Sequence, residues 1–316
     1  YTTRPQIYAF GSDGNITAAG QTALGATTPL QSGWAGLFVG ESGRIGLNWP
    51  VMKTALPYRS VRHELTHKME HQLTRNRPFP SWFDEGMARF EDLSVPGGQY
   101  RIVDSRSTVV SMSATGTLLN VHTGSDAQFY GWPGEKETYA YYEAAETVRL
   151  MRADMTQAGV VRMLEAVGTG QSFDAAYASV AGQPLSTFNT TRNGRLRSSA
   201  PTPGIGTAPD TFLGPGLFIV VYGLAPFASL TISISSQSAG SSSASATVSD
   251  IGVYRTYLGA TWPRDTYTIT VTSGSTSLTT AAAKTTSMSA EALLFLDGAD
   301  RNLLRIPDSI PAQRAE

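Results

Sequence analysis

Two hydrophobic periods divide the chain. Beyond about residue 200, apolar and polar side chains alternate one by one, as in Leu230-Thr-Ile-Ser-Ile-Ser and Thr266-Tyr-Thr-Ile-Thr-Val-Thr. A period of two puts apolar groups on one face of a strand and hydroxyls on the other, so these segments read as half-buried strands. Residues 218–222 form a denser apolar strand, and Asp297-Gly298 between two apolar runs predicts a closing hairpin. About seven such strands with Gly- or Ser-rich turns predict an all-β sandwich over 211–316. Before residue 200 the pattern is mixed. Strands are expected over 6–10, 35–39 and 44–47. Helices follow over 57–75, 82–93 (opened by Ser81 and Asp84 as a capping-box-like start), 137–152, 160–167, 173–180 and 185–191. Strands first and helices afterwards make an α+β domain over 1–200. The join, 201–210, carries three Pro and two Gly and reads as a linker.

Composition narrows the function classes. The chain has 316 residues, a formal net charge of −1 and only 16% charged residues, so it offers no basic footprint for nucleic acid or an anionic membrane. No apolar run reaches the length of a membrane span. Cys is absent, which removes disulfides and thiol catalysis. The start, Tyr1-Thr2-Thr3, reads as a processed N-terminus. With the appended β-sandwich it leads to the expectation of a secreted or cell-surface protein, taken as a monomer.

The chemistry concentrates at His63-Glu64-Leu65-Thr66-His67. Four residues advance a helix by about one turn, so both imidazoles leave one face and can grip a single zinc ion, with Glu64 beside them. Residue frequencies predict about 0.002 such H-E-x-x-H matches in a chain of this composition, so coincidence is a poor explanation. Val61, Leu65, Met69 and Leu73 form an apolar stripe on the same helix, expected to anchor it in the core while the His face looks into a cleft. A hydrolytic zinc needs a third protein ligand and an open position. His71 lies about 12 Å along the helix from His63 at about 1.5 Å per residue, too far to share the ion. Glu85, in Trp82-Phe83-Asp84-Glu85-Gly86 at the start of the next helix, is the preferred third ligand, and Asp84 is the alternative. Glu91 or Asp92 could orient a ligand imidazole.

His63-Glu-Leu-Thr-His67 followed by Pro80-Ser-Trp-Phe-Asp-Glu85-Gly-Met-Ala-Arg-Phe-Glu resembles the gluzincin metallopeptidases, specifically the bacterial peptidase-MA-like family. The resemblance covers most of residues 1–200 and implies a zincin-type catalytic domain, a small twisted sheet plus a helical lobe, with one catalytic Zn2+. It also implies a Tyr in a later helix. Ala140-Tyr141-Tyr142-Glu-Ala-Ala fits that pattern with Tyr141 at the Tyr position, as donor to the oxyanion, while Tyr139 and Tyr142 stay open as alternatives. The G-x-M-E-N element of gluzincin aminopeptidases is absent, which favours an endopeptidase. His122 is expected to be solvent-exposed in a Gly-rich loop. The C-terminal run 250–271 is similar to bacterial immunoglobulin-like or fibronectin-type-III-like modules.

The expected reaction is metal-assisted hydrolysis of a protein or peptide, glycoproteins included. Zinc would sit on His63, His67 and Glu85, with Glu64 as general base. The strand segment Trp34, Ala35, Gly36, Leu37 would hold the substrate backbone by edge pairing. The competing class is a secreted binding or adhesion protein on the same frame, directed at glycan or cell-surface protein, with little or no turnover.

Overall fold

The computed structural model describes residues 6–11, 21–26, 36–40, 42–48, 57–94, 99–210, 216–259 and 261–284. Trp34, Ala35 and the hairpin expected after residue 290 lie outside them. The chain is α+β. Strands β1 (Gln6–Phe10), β2 (Gly36–Val39) and β3 (Arg44–Asn48) form a sheet in the order β1-β3-β2, with β1 and β3 parallel and β2 antiparallel to β3. Helices α1 (Pro57–Thr74) and α2 (Ser81–Leu93) follow, then α3 (Gln99–Thr115), the short α4 (Asp126–Phe129), α5 (Glu135–Gly168), α6 (Phe173–Ala181) and α7 (Leu185–Ser198).

The apolar stripe of α1 does less than its spacing promised. Val61 and Leu65 are half-buried against Ile45 and Leu47 of β3, while Glu64, Thr66, His67, Lys68 and Glu70 on the polar side are buried. The helix is wedged between sheet and α2, so its polar face is enclosed rather than open. Helix α2 starts at Ser81 with Pro80 as N-cap and no side-chain cap of its own. The Ser81 N–H instead donates to Asp126 at 3.1 Å, so the cap comes from α4 and not from the expected box. The two helices expected over 137–152 and 160–167 are one element, α5, broken at Thr156, whose φ of 63° interrupts the helical backbone. Helix α3 was not legible, because a run of Ser, Thr and Val shows no 3.6-residue apolar period. It is buried on two sides, against the helical lobe and against the β half.

Seven strands complete the described chain: β4 (Gly204–Asp210), β5 (Gly216–Tyr222), β6 (Ser229–Ser236), β7 (Gly240–Thr247), β8 (Tyr254–Leu258), β9 (Thr266–Ser273) and β10 (Thr276–Ala283). They make two antiparallel sheets, β4-β5-β8 and β10-β9-β6-β7. Leu217, Ile219 and Val221 of one pack on Leu230, Ile232, Ile269 and Val271 of the other. The period-two residues thus meet face to face. The segment read as a linker is largely strand β4, paired with β5 along its length. Nor do the halves hang apart: Val110 and Met112 of α3 pack with Val220, Tyr222, Ile251 and Val253. Ser111 adds a hydrogen bond to the Ile251 carbonyl at 2.6 Å and accepts the Gly223 N–H at 2.8 Å.

Inside the helical lobe, Glu143 of α5 is fully buried and organises a polar centre. It accepts from Arg192 of α7 at 2.5 Å and from the backbone N–H groups of Leu119 and Val121, at 2.8 and 3.3 Å, fixing the segment that leads to α4. Replacing Glu143 with Ala strands the buried Arg192 charge and two amides. Urea unfolding is expected to register a loss of about 3–5 kcal/mol; a loss below about 1 kcal/mol would contradict this role.

Candidate metal centre

Crossing of α1 and α2 brings Glu85 onto the imidazoles. His63 Nε2 lies 3.1 Å from His67 Nε2 and 3.3 Å from Glu85 Oε2, and His67 Nε2 lies 3.6 Å from the same oxygen. A tetrahedral ion with arms of 2.0–2.1 Å would hold its ligand atoms about 3.3 Å apart, so the three edges fit such a centre. Glu85 Oε2 is buried without a well-directed hydrogen bond, as expected of an atom that serves another partner. The chain's residues therefore suit a cation held by His63, His67 and Glu85, and these atoms form one of two donor groupings among the described residues. Glu85 needs the close contact of α2 with α5, which Gly86 permits: a Cβ there would lie 2.8 Å from the Ala144 carbonyl oxygen.

Both imidazoles are oriented from behind. Asp84 Oδ1 takes the Nδ1 proton of His67 at 2.7 Å, and Asp92 Oδ2 faces His63 Nδ1 at 3.4 Å. A carboxylate on Nδ1 fixes the tautomer and turns Nε2 toward the centre. Asp84 thus meets the Nδ1 side of His67 while Glu85 meets its Nε2 side, and of the pair Glu91 and Asp92 it is Asp92 that reaches an imidazole. Glu91 instead pairs with Arg62 and Arg152, at 2.5 and 2.8 Å. Sequence reasoning passed over Glu70, which completes the second grouping with His67 and Asp84. As a carboxylate, this fully buried group would have no donor on either oxygen. Burial, then the Asp84 charge, pushes its pKa well above the usual carboxylate range.

Glu64 is buried beneath β2. A Cβ on Gly36 would come within 2.7 Å of its Oε1, so a larger residue there would push the Glu64 side chain aside, and the Phe38 N–H donates to it. Burial raises the Glu64 pKa against the opposing charges of His63 and His67. Gly36 and Leu37 lie in the edge strand of the three-stranded sheet, directly over this carboxylate.

The three candidate tyrosines separate by their partners. Tyr139 donates to Glu135 at 2.7 Å and Tyr142 to Asp104 at 3.2 Å, both away from the centre. Tyr141 alone carries no such tie, and its phenol is kept protonated by burial and by the charges of Glu85 and Glu64, among others. Unforeseen from sequence is Tyr130, which donates to Glu85 Oε1 at 3.1 Å. Only its place in an aromatic and Gly-rich turn, Tyr130-Gly-Trp-Pro-Gly134, marked the segment at all. His71 packs against Phe38 and Phe79, away from the donors. His122 is half-buried rather than exposed, and burial together with Arg192 lowers its pKa to about 4.

No family model matches the chain, and no curated protein matches it either.

In the metal-free protein burial pushes the His63 pKa down, but Asp92 and Glu85 together outweigh it and raise it from 6.5 to about 10. A raised folded-state value means that the protonated imidazole stabilises the fold fully below pH 6.5 and that this contribution is lost as pH climbs through about 10. In EDTA the Tm advantage of wild type over His63→Gln is expected to shrink from pH 7 to 10, and zinc affinity to rise over that window as metal displaces the proton. Flat profiles in both would remove the assignment.

Proposed function

We propose that the protein is a zinc-dependent endopeptidase that hydrolyses peptide bonds of extracellular proteins, on a zincin-type α+β domain followed by an immunoglobulin-like or fibronectin-like β-sandwich. The observation that carries the reading is the convergence of His63 Nε2, His67 Nε2 and Glu85 Oε2 within 3.1 to 3.6 Å beside the buried, base-like Glu64. A structural zinc is a poorer account, since such sites close with four protein ligands, typically Cys or His.

In this reading His63, His67 and Glu85 hold the ion, which when bound supplies a Lewis acid and lowers the pKa of its water toward neutrality. Glu64, whose pKa is raised by burial, removes the proton from the attacking water and returns it to the leaving nitrogen. Tyr141, whose phenol is kept protonated by burial and by the charges of Glu85, Glu137 and Glu64, donates to the oxyanion as charge develops there. Tyr130 steadies Glu85 through its hydroxyl. An extended substrate would add to the edge of β2 that is unpaired among the described strands, above Glu64, and this is the feature that favours a polypeptide as substrate.

The reading is tested by mass-spectrometric mapping of cuts in a mixture of proteins and glycoproteins, comparing wild type with Glu64→Gln, both zinc-loaded. Cuts made by wild type alone support it and define subsites and any glycan preference. Zinc bound in both with no Glu64-dependent cut would instead favour a binding protein on the same frame. Between the phenols, Tyr141→Phe is expected to lower kcat by about 10²-fold with zinc affinity unchanged, as for loss of one oxyanion donor. Tyr130→Phe is expected to weaken zinc binding instead, and the reverse pattern would exchange the two roles.

A further inference from the structure

Resting on the metal reading above for its chemistry, we propose that Arg255, in the β half of the chain, is a positioning residue for His63, acting through Asp104, Tyr142, Arg89 and Asp92. Each link is a direct contact. Arg255 on β8 donates from Nε to Asp104 Oδ1 of α3 at 2.5 Å and from its guanidinium to Thr108 at 2.7 Å. The other oxygen of Asp104 accepts the Tyr142 hydroxyl from α5 at 3.2 Å. Over the Tyr142 ring, 5.2 Å from its centroid, lies the Arg89 guanidinium of α2. Arg89 donates to Asp92 Oδ2 at 3.1 Å, and that same oxygen faces His63 Nδ1. The chain of contacts crosses β8, α3, α5, α2 and α1, and its charges alternate in sign with the tyrosine at its middle.

Burial gives these contacts their reach. The Arg89 and Asp92 side chains are only 13% and 4% exposed, so neither charge is screened by water. Arg89 sits between two carboxylates, Asp92 directly and Asp104 across the Tyr142 ring. With Arg255 removed, Asp104 keeps its charge but loses its cation, and Arg89 becomes the nearest cation along the chain of contacts. Its pull on Arg89 competes with Asp92 and slackens the seat of His63. Arg59 limits the effect, because it holds both oxygens of Asp92 at 2.9 and 3.1 Å. A partial loss of positioning follows, not a collapse of the site. The β half is then part of the metal centre's support as well as an appended module.

The experiment measures zinc affinity by competition with a chromogenic chelator on the full chain, and Tm of each variant in EDTA. Arg255→Gln and Tyr142→Phe, which cuts only the hydroxyl link, are each expected to weaken zinc binding by about 3- to 10-fold, within the range of coupling through packed networks. Their double variant is expected to be no weaker than the worse single, since both break one chain of contacts. Arg255→Lys should recover most of the loss. Ser111→Ala is the control: it loosens the same docking surface without touching these residues, so it should lower Tm and leave zinc affinity within about twofold. Unchanged affinity in Arg255→Gln and Tyr142→Phe, additive losses, or an equal loss in Ser111→Ala would overturn the proposal. A metal-independent readout separates it from the function reading. The ring 15N shifts of His63 in the metal-free protein should move in Arg255→Gln while those of His122 stay. If wild type takes up no zinc, the metal reading falls, and movement or stillness of His63 still decides the positioning role.

Discussion

Helix α1 buries its polar face, and the rest of the site follows from that constraint. Glu64, His67 and Glu70 are enclosed between the sheet and α2, where an ionisable group without a partner is costly. Each must therefore be met by a group of opposite charge or by a shared proton. Asp84 and Glu85 on α2 meet His67, Asp92 and Glu85 meet His63, and burial beside Asp84 raises the Glu70 pKa. Because Asp84, Glu85 and Asp92 all arrive on one helix, the crossing of α1 and α2 sets the electrostatic balance around both imidazoles at once. The buried aromatic contacts of Trp82, Phe83 and Phe173, together with Gly86 against Ala144, hold that crossing in place.

Compensation continues outward as a layer of ion pairs. Arg59 and Arg89 share Asp92, while Arg62 and Arg152 share Glu91, so α1, α2 and α5 are linked by charge as well as by packing. Exposed pairs of this kind contribute little, but here the side chains are mostly buried and their directionality fixes geometry more than it adds stability. A metal centre needs its ligand atoms held to within a few tenths of an ångström, and a layer of directed contacts behind the imidazoles does that better than apolar packing alone. The β half takes part through α3, whose hydroxyls bond its turns and whose Val110 and Met112 share its core.

The open edge of β2 stands apart from this enclosure. Sheet order leaves β2 paired on one side only among the described strands, and Gly36 lets Glu64 come up against it. The same small residue thus brings a buried carboxylate up against a strand that is unpaired on one side among the described strands.

The amino-acid sequence by itself determined the elements whose pattern is local. The period-two strands of the C-terminal half, the helix around His63 and His67, and the placing of both imidazoles on one helix face follow from spacing alone, because neighbours along a helix or strand are fixed by backbone geometry. Glu85 could be preferred from its position with Asp84 kept as the alternative, but which of two adjacent carboxylates reaches both Nε2 atoms depends on the rotation of α2 over α1. Tertiary structure alone decided that Asp84 and Asp92 stand behind the imidazoles, that Glu70 is fully buried beside them, and that Tyr130 reaches Glu85 across 45 residues. It also decided that 204–210 is a strand and that Ser-rich α3 is a buried helix. Both depend on partners far along the chain, and neither hydrogen-bonding partners nor burial on two sides leaves a periodic trace in the sequence.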